Sequence, residues 1–384
     1  MASKPGVTGS FWPSGEQELL LRTVLLDRQR AEAAWLALRP TIDIQRLERG
    51  SASLLGLLYE RLHEWGTQDE FVPRLKGVFR FIWFGNQVGL QALTDAVSAL
   101  HEGGVRTLAL GDAALILRYY GKRGVRPLAD PAVLVPRARF DAAIDVLERA
   151  GWETWGTPSG RSQGIRRSAD GRRCVVRWRL PMELESLEDG SASESYWQRA
   201  VAADTQGFPT SVLSTTDEFL SVCVGGAKTA STSRVQWVAD AMTILGTHPS
   251  EVVWERVVDE AVAHRLTLRL ADALAYLVEA FEAPVPAAVV DELRAATSSG
   301  RERFAHQLSG RGGPLLGSVP ATIGAHIVAS QETSVVRAVV TAPRFVRAEW
   351  GLDRAWALPM AAVRRTGAAI SAALKARRHR RVAS

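Results

Sequence analysis

The stretch from residue 108 to residue 136 constrains the fold of this chain more than any other. A short apolar run ends at Gly111, and a run with helical periodicity follows from Ala113 to Tyr120. A loop closed by Pro127 leads to a second apolar run, Ala132 to Val135, which contains only branched residues and alanine. Short apolar runs bounded by turn residues are typical of buried strands. The order strand, glycine turn, helix, strand therefore predicts a compact α/β unit.

Both flanks of this unit are predicted to be helical. Apolar residues recur at three- and four-residue spacing from Glu16 to about Phe84, and a longer helix is expected from Val78 to Glu102. The same spacing returns from Ser214 to about Ala296. The predicted divisions are an N-terminal helical segment (1–85), an α/β core (86–213), a C-terminal helical segment (214–309), and a Gly/Pro-rich break with a basic tail (310–384).

A β-hairpin is predicted downstream of the central unit. Asp170 and Gly171 stand between two strand-like runs, and an Asp-Gly pair in that position is a strong hairpin signal. After the turn, residues from Val175 to Leu180 alternate in a way that is typical of a half-buried strand.

Composition narrows the class of protein. Apolar residues make up 46% of the 384 positions, which is typical of a soluble globular protein with room for two or three cores. No uncharged apolar run approaches the eighteen or so residues of a membrane span, and the first residues lack the apolar region of a signal peptide. The two cysteines, Cys174 and Cys223, have no metal-type spacing. These features predict a cytoplasmic protein.

The positive charge is concentrated at the C-terminus. Residues 337–384 contain eleven Lys or Arg and two acids, whereas the remainder has 36 basic and 39 acidic residues. This basic tail also contains Trp350 and Trp356, so binding to an anionic membrane surface, to nucleic acid without sequence specificity, or to an acidic partner is one interpretation. A mobile basic extension is the other.

The central unit also carries a resemblance to a known family. Residues 126–136 are Arg-Pro-Leu-Ala-Asp-Pro-Ala-Val-Leu-Val-Pro, and two later stretches, 140–153 and 213–245, fit the same pattern of helices. In these residues the chain resembles the uncharacterised bacterial nucleotidyltransferases, a branch of the DNA polymerase β-like superfamily, over about residues 15–285. The resemblance implies a mixed-sheet α/β core flanked by helices. It also implies that the chain binds a nucleotide or a nucleotide sugar.

The resemblance identifies candidate metal ligands. Members of the superfamily hold Mg²⁺ with an Asp-x-Asp pair on one strand and a third acid on a neighbouring strand. Asp130 keeps the first position, whereas Ala132 and Val175 occupy the other two. Asp130 is therefore the candidate catalytic residue and metal ligand, and a single protein carboxylate predicts weakly held Mg²⁺. The alternative is that Asp130 is a turn acid before Pro131.

Gly111 and Asp112 occupy the place where the family has its phosphate-binding turn. A helix N-terminus with free N–H groups binds anions, so Gly111 is a candidate phosphate contact. Asp112 is expected to cap the following helix by accepting its free N–H groups. The alternative is a relocated catalytic acid that meets Asp130 across the two strands.

Several further residues are candidate nucleotide contacts. Basic side chains around the expected cleft would clamp phosphate groups, and the most relevant are Lys122, Arg126 and Arg177. Lys228 and Asp240 fall where the resemblance places the helices that close over the nucleotide. The alternative for the basic residues is a solvated charged surface.

Two functions remain open on the sequence alone. The first is a transferase that passes a nucleotidyl or glycosyl group to a saccharide or peptide acceptor, which the resemblance connects with bacterial polysaccharide or peptide natural-product pathways. The second is a catalytically degenerate relative that binds a substrate or a partner. The missing acids favour the second, and the basic residues around the cleft favour the first.

Overall fold

The structure is a computed structural model that describes residues 12–44, 46–156, 162–180, 191–226 and 235–310, with 326, 342–343 and 346–347. The basic tail, apart from residues 342–343 and 346–347, lies outside the described residues, and the interpretations of it stay predictions. Within the described ranges, no helix combines the length and hydropathy that a bilayer span requires.

The N-terminal region is helical, as predicted. Its elements are α1 (Gly15–Leu25), α2 (Arg28–Leu38), α3 (Arg49–Ala52), α4 (Leu55–Glu64) and the long α5 (Phe71–Glu102). Ser14 and Gln17 form a reciprocal capping box that begins α1, because each side chain accepts from the other residue's backbone N–H. Helix α5 runs without interruption through residue 85, where the sequence analysis divides the N-terminal segment from the core.

The predicted central unit is confirmed. Strand β1 (Leu108–Leu110) leads through Gly111 into α6 (Asp112–Arg118), and β2 (Ala132–Leu134) follows the loop. Gly111 has a φ of 61°, which residues with a side chain rarely adopt, so glycine permits the abrupt change from strand to helix.

A seven-stranded mixed sheet forms around this unit. The further elements are α7 (Phe140–Arg149), β3 (Trp152–Trp155), β4 (Ser162–Arg167), β5 (Arg173–Arg177), α8 (Ser191–Arg199), β6 (Val201–Thr205) and β7 (Phe208–Val212). The strand order is β3-β4-β5-β2-β1-β7-β6. Strand β1 is antiparallel to β2 and parallel to β7, and β2 is parallel to β5. The predicted hairpin is also present, since β4 pairs with β5 around the Asp170-Gly171 turn. The α/β fold class is therefore confirmed.

Helices cover both faces of the sheet. The C-terminal helices are α9 (Thr215–Gly226), α10 (Gln236–Thr247), α11 (Trp254–Ala263), α12 (Thr267–Phe281), α13 (Ala287–Ala295) and α14 (Gly300–Gly310). Leu108 and Leu110 of β1 face a core shared with the N- and C-terminal helices, whereas Ala109 faces a second core formed with the end of α5 and with α7. This alternation is the two-residue period of a strand buried on both sides.

Candidate functional site

An open cleft of about 800 Å³ lies at the end of β1, where the chain turns into α6. Helices α4 and α5 border one side of the cleft, and α9 and α10 border the other. Most of its lining is apolar and includes Ile44, Leu55, Val78, Phe81, Ile82, Leu115, Val222 and Trp237. The polar side chains in the lining are Ser53, Asp112, Arg126, Glu218, Ser221, Gln236 and Asp240. A mostly apolar cleft with a few convergent polar groups is typical of a small-molecule site.

A buried ion pair between Arg126 and Asp240 forms the polar centre of the cleft. The Arg126 Nε and Nη2 atoms donate to the two Asp240 carboxylate oxygens at 2.7 and 2.9 Å. Both side chains are only 5% exposed. Burial by itself lowers the pKa of Arg126, but the charges of Asp240 and Asp112 outweigh it and the pKa is raised well above its usual value. Arg126 therefore carries a full positive charge in the cleft.

Asp240 accepts further hydrogen bonds that fix its orientation. The Tyr120 hydroxyl donates to Asp240 Oδ1 at 2.7 Å, and the Gln236 side-chain amide donates to the same atom at 3.2 Å. Burial and the charge of Asp240 raise the pKa of Tyr120 well above its usual value, so its hydroxyl stays protonated and remains a donor. The predicted nucleotide contact at Asp240 is therefore, in this structure, an acceptor that orients Arg126.

The prediction that Asp112 caps α6 is wrong. Gly111 is the N-cap residue and no side chain caps the helix, because Asp112 already stands at the first helical position. Its carboxylate instead forms an ion pair with Arg126, at 2.8 Å between Oδ1 and Nη2, and accepts a hydrogen bond from the backbone N–H of Ala129 at 3.0 Å. Asp112 thus connects the start of α6 to the loop before β2.

We expect Asp112→Asn to destabilise the protein by about 1–2 kcal/mol, because asparagine can accept from Ala129 but cannot pair with the Arg126 charge. A capping aspartate would tolerate this change, since asparagine is an equally good N-cap residue. Urea unfolding of the variant and of the wild-type protein measures the difference. A loss below about 0.3 kcal/mol would contradict the role of the Arg126 contact.

Glu218 is the cleft residue that the sequence analysis missed. Its side chain lines the cleft, the residue is 2% exposed, and its Oε2 atom has no hydrogen-bond partner among the described residues. The pKa of Glu218 is raised to about 8, mainly by burial; the charge of Arg126 opposes this shift, and the negative charges of Asp240, Asp217 and Asp112 add to it. A carboxyl group that titrates near neutral pH in a cleft is a candidate acid or base.

The neighbouring Asp217 has a different environment, although both acids lie in the first turn of α9. Asp217 accepts two hydrogen bonds from Arg199 at 3.0 Å each and one from the Ser214 hydroxyl at 2.7 Å. Position 218 instead shares a helix face with Val222 and Gly225, which also line the cleft. The sequence signal that could have identified Glu218 is therefore an acidic residue on the apolar face of a predicted helix.

Close packing of α9 against α10 positions the aromatic part of the cleft lining. A Cβ atom at Gly226 would lie 2.0 Å from the Trp237 side chain, so only glycine permits this approach. Trp237 is buried and lines the cleft beside Glu218 and Gln236.

A family model described as "Uncharacterised nucleotidyltransferase" matches residues 50–282, which is more than half of the chain. The chain belongs to this nucleotidyltransferase family. The matched range contains the whole sheet and every residue that lines the cleft except Ile44. No curated protein and no solved structure matches the chain.

Two of the three positions where the resemblance places metal ligands are apolar and adjacent, namely Ala132 and Val175. Ala132 pairs with Leu110 on one side and with Val175 on the other. Asp130 is exposed and lines a separate, smaller cleft of about 270 Å³ with Asp170 and Arg172. Asp130 is therefore not among the residues that line the large cleft with Asp112, although the adjacent Ala129 lines both clefts.

The described residues do not fit a two-metal site. None of their His, Cys, Asp and Glu side chains form a group of three or more that could hold a metal ion. In the large cleft, Asp112 and Asp240 both pair with Arg126. The roles of Asp130 in catalysis and in Mg²⁺ binding stay predictions.

The remaining predicted phosphate contacts lie apart from the cleft centre. Lys122 pairs with Glu60 of α4, and Arg177 lies on β5; neither is among the residues that line the large cleft. Lys228 lies outside the described residues. Of the predicted contacts, the structure brings Gly111, Asp112, Arg126 and Asp240 together.

Proposed function

We propose that this nucleotidyltransferase binds a nucleotide or a nucleotide sugar in the large cleft and transfers its nucleotidyl or glycosyl group to an acceptor. The observation that carries the proposal is the buried Glu218 carboxyl, whose Oε2 atom has no hydrogen-bond partner among the described residues, in the same cleft as the Arg126 guanidinium and within the family's matched range. The proposed acceptor is a saccharide or peptide that presents a hydroxyl or amine group. A role in a polysaccharide or peptide natural-product pathway fits such an acceptor.

The size and lining of the cleft support a ligand with an apolar, planar part. A volume of about 800 Å³ lies in the usual range of about 300–1,000 Å³ for ligand sites. The ring of Trp237 and the aliphatic side chains of Leu115 and Val222 offer an apolar surface for a nucleobase. Aromatic rings bind bases by stacking without strong sequence preference.

In the proposed reaction, Glu218 takes the proton of the acceptor. The acceptor oxygen forms a bond with the α-phosphorus, the bond to the leaving pyrophosphate breaks, and the acceptor proton passes to the Glu218 carboxylate. Arg126 stabilises the negative charge that develops on the phosphoryl oxygens, because its buried charge acts in a low dielectric. A base with a pKa of about 8 suits this step near neutral pH.

A binding protein without catalysis is the second candidate function. It is favoured by Ala132 and Val175, which stand side by side where the resemblance implies two metal-binding carboxylates. Such a protein would bind the same nucleotide with no turnover. An assay for pyrophosphate release in the presence of saccharide and peptide acceptors separates the two candidates.

Calorimetry with ATP, UTP and a uridine diphosphate sugar, with and without Mg²⁺, tests the proposal. We expect at least one of these ligands to bind and its affinity to change by less than about tenfold when EDTA removes Mg²⁺, since the cleft lacks an octahedral set of carboxylates. A steep loss of affinity with EDTA would contradict this prediction.

Two variants assign the binding to one cleft. Ser221→Phe fills the large cleft from α9 and should abolish binding, whereas Asp130→Ala alters only the smaller cleft and should leave affinity unchanged. The proposal fails if none of the three ligands binds, or if Ser221→Phe binds as tightly as the wild-type protein. Loss of both affinity and Mg²⁺ dependence in Asp130→Ala would instead support a metal ligand at that position.

A further inference from the structure

One face of α5 exposes large apolar side chains to solvent. Phe81 is 79% exposed, Phe84 65%, Trp83 47% and Val88 40%. Four of the eleven exposed large hydrophobic residues in the described ranges therefore fall within eight consecutive positions. Scattered apolar residues are normal on a protein surface, but a contiguous patch of this kind marks an interaction site.

The same stretch of the helix carries positive charge and no acid. Arg74, Lys76 and Arg80 are exposed, and among the described residues none of them forms an ion pair. The sequence has no Asp or Glu from position 71 to position 94. The preceding acids, Asp69 and Glu70, are both paired with Arg39. Among the described residues, no ion pair therefore neutralises these three cations.

The arrangement on the helix separates this surface from the core. Leu75, Ile82 and Leu90 recur at helical spacing and are buried. Phe81, Phe84 and Val88 follow the same spacing on the opposite side. Positions 77 and 85 on that side are glycines with open space around them. The exposed aromatic rings therefore lie on the side of α5 away from the core, and at the end of this stretch Gly85 and Val88 also line the smaller cleft with Asp130.

We propose that residues 74–88 of α5 bind the surface of an anionic lipid bilayer. Aromatic side chains favour the interface between headgroups and acyl chains, and Lys and Arg are attracted to the negative surface potential of acidic lipids. The combination of exposed aromatics and three cations, with no acid on the helix from position 71 to position 94, complements that surface and disfavours an interface with a basic partner. Phe81 also lines the large cleft, so the bound face lies next to its entrance.

Vesicle co-sedimentation of the full chain tests the proposal. The protein is mixed with vesicles of phosphatidylcholine alone or of phosphatidylcholine with phosphatidylglycerol, at low and at high salt. We expect binding to the anionic vesicles at low salt and release at high salt, because the electrostatic attraction is screened. Binding to neither kind of vesicle would overturn the proposal.

Two variants separate the α5 face from the basic tail, which stays intact in both. Phe81→Ser/Phe84→Ser should reduce partitioning at least about tenfold through the loss of buried apolar area, and Lys76→Glu/Arg80→Glu should do so through charge. The matched control is Phe208→Ser, an exposed phenylalanine on β7, which should leave binding unchanged. Melting curves verify that each variant is folded.

The results for the α5 variants distinguish a membrane surface from the other possible binding partners of this helix face. Unchanged vesicle binding in both α5 variants would overturn the proposal and assign the attraction to the basic tail. If the wild-type chain forms dimers on size-exclusion chromatography and Phe81→Ser/Phe84→Ser abolishes them while vesicle binding persists, the face is an interface between two copies. Loss of vesicle binding in the α5 variants, with the Phe208→Ser control unaffected, supports the proposal.

Discussion

Arg126→Ala is expected to destabilise the protein by about 3–5 kcal/mol. The substitution leaves the Asp240 carboxylate buried without its bidentate partner, and it also removes the charge that pairs with Asp112. Removal of one member of a buried ion pair is far more costly than the pair's net contribution, because the remaining charge stays desolvated. Chemical denaturation, with the unfolding free energy extrapolated to water, measures the effect.

An exposed ion pair provides the matched control. Arg28 pairs with Glu32 on α2 at 2.8 Å, and the two side chains are 64% and 46% exposed. Arg28→Ala should cost less than about 0.5 kcal/mol, because water supports both charges. The Arg126→Met/Asp240→Leu double variant should recover much of the stability that Arg126→Ala loses, since it leaves no buried charge of the pair unpaired. Equal losses for Arg126→Ala and Arg28→Ala would contradict the importance of burial.

The central α/β unit was predictable because its signals are local. The apolar runs that became β1 and β2, the turn at Gly111 and the hairpin at Asp170 all depend on neighbouring residues. Strand order depends instead on contacts between distant segments. The pairing of β1 with β7, about 100 positions further along the chain, cannot be predicted from the residues around either strand.

Several residues of the candidate site were predictable from the sequence, but the contacts between them were not. Arg126 and Asp240 were both expected near the cleft, yet their ion pair joins residues that are 114 positions apart. The Arg126 contact also changes the role of Asp112, which the local pattern at the start of α6 predicted as a cap. Lys122 was expected near phosphate, but the loop carries it to Glu60 of α4.

Glu218 was missed because acids are common in the first turn of a helix, where they interact favourably with the helix dipole. Only the packing of α9 against α10, α11 and α12 shows that this carboxyl is buried while its neighbour Asp217 is paired with Arg199. Whether a carboxyl group is buried, and whether it has a hydrogen-bond partner there, depends on tertiary packing and not on the neighbouring residues in the sequence. For that reason this buried carboxyl was not a candidate on the sequence alone.

Glu218 should make the stability of the protein depend on pH. Its pKa is about 8 in the folded state, whereas the ordinary value of 4.5 applies in the unfolded chain. The folded state therefore binds the extra proton between these values, and the unfolding free energy should fall as pH rises from about 5 to about 9. Each pKa unit corresponds to about 1.4 kcal/mol, so the contribution lost is on the order of 5 kcal/mol.

Glu218→Gln removes this titration and tests both consequences together. The variant should lose the decline in unfolding free energy at high pH, and its rate of nucleotidyl transfer should drop by about 100-fold or more, the usual contribution of a general base. In the wild-type protein the rate should rise with pH up to about 8, as the carboxylate forms, and the variant should lack this rise.

The control is Glu292→Gln on α13, where the exposed carboxylate is hydrated in both the folded and the unfolded state. If Glu218→Gln keeps the wild-type rate but loses the pH dependence of stability, Glu218 is a buried acid with no part in catalysis. If it keeps both, the carboxyl is not desolvated and the proposed base must lie elsewhere in the cleft.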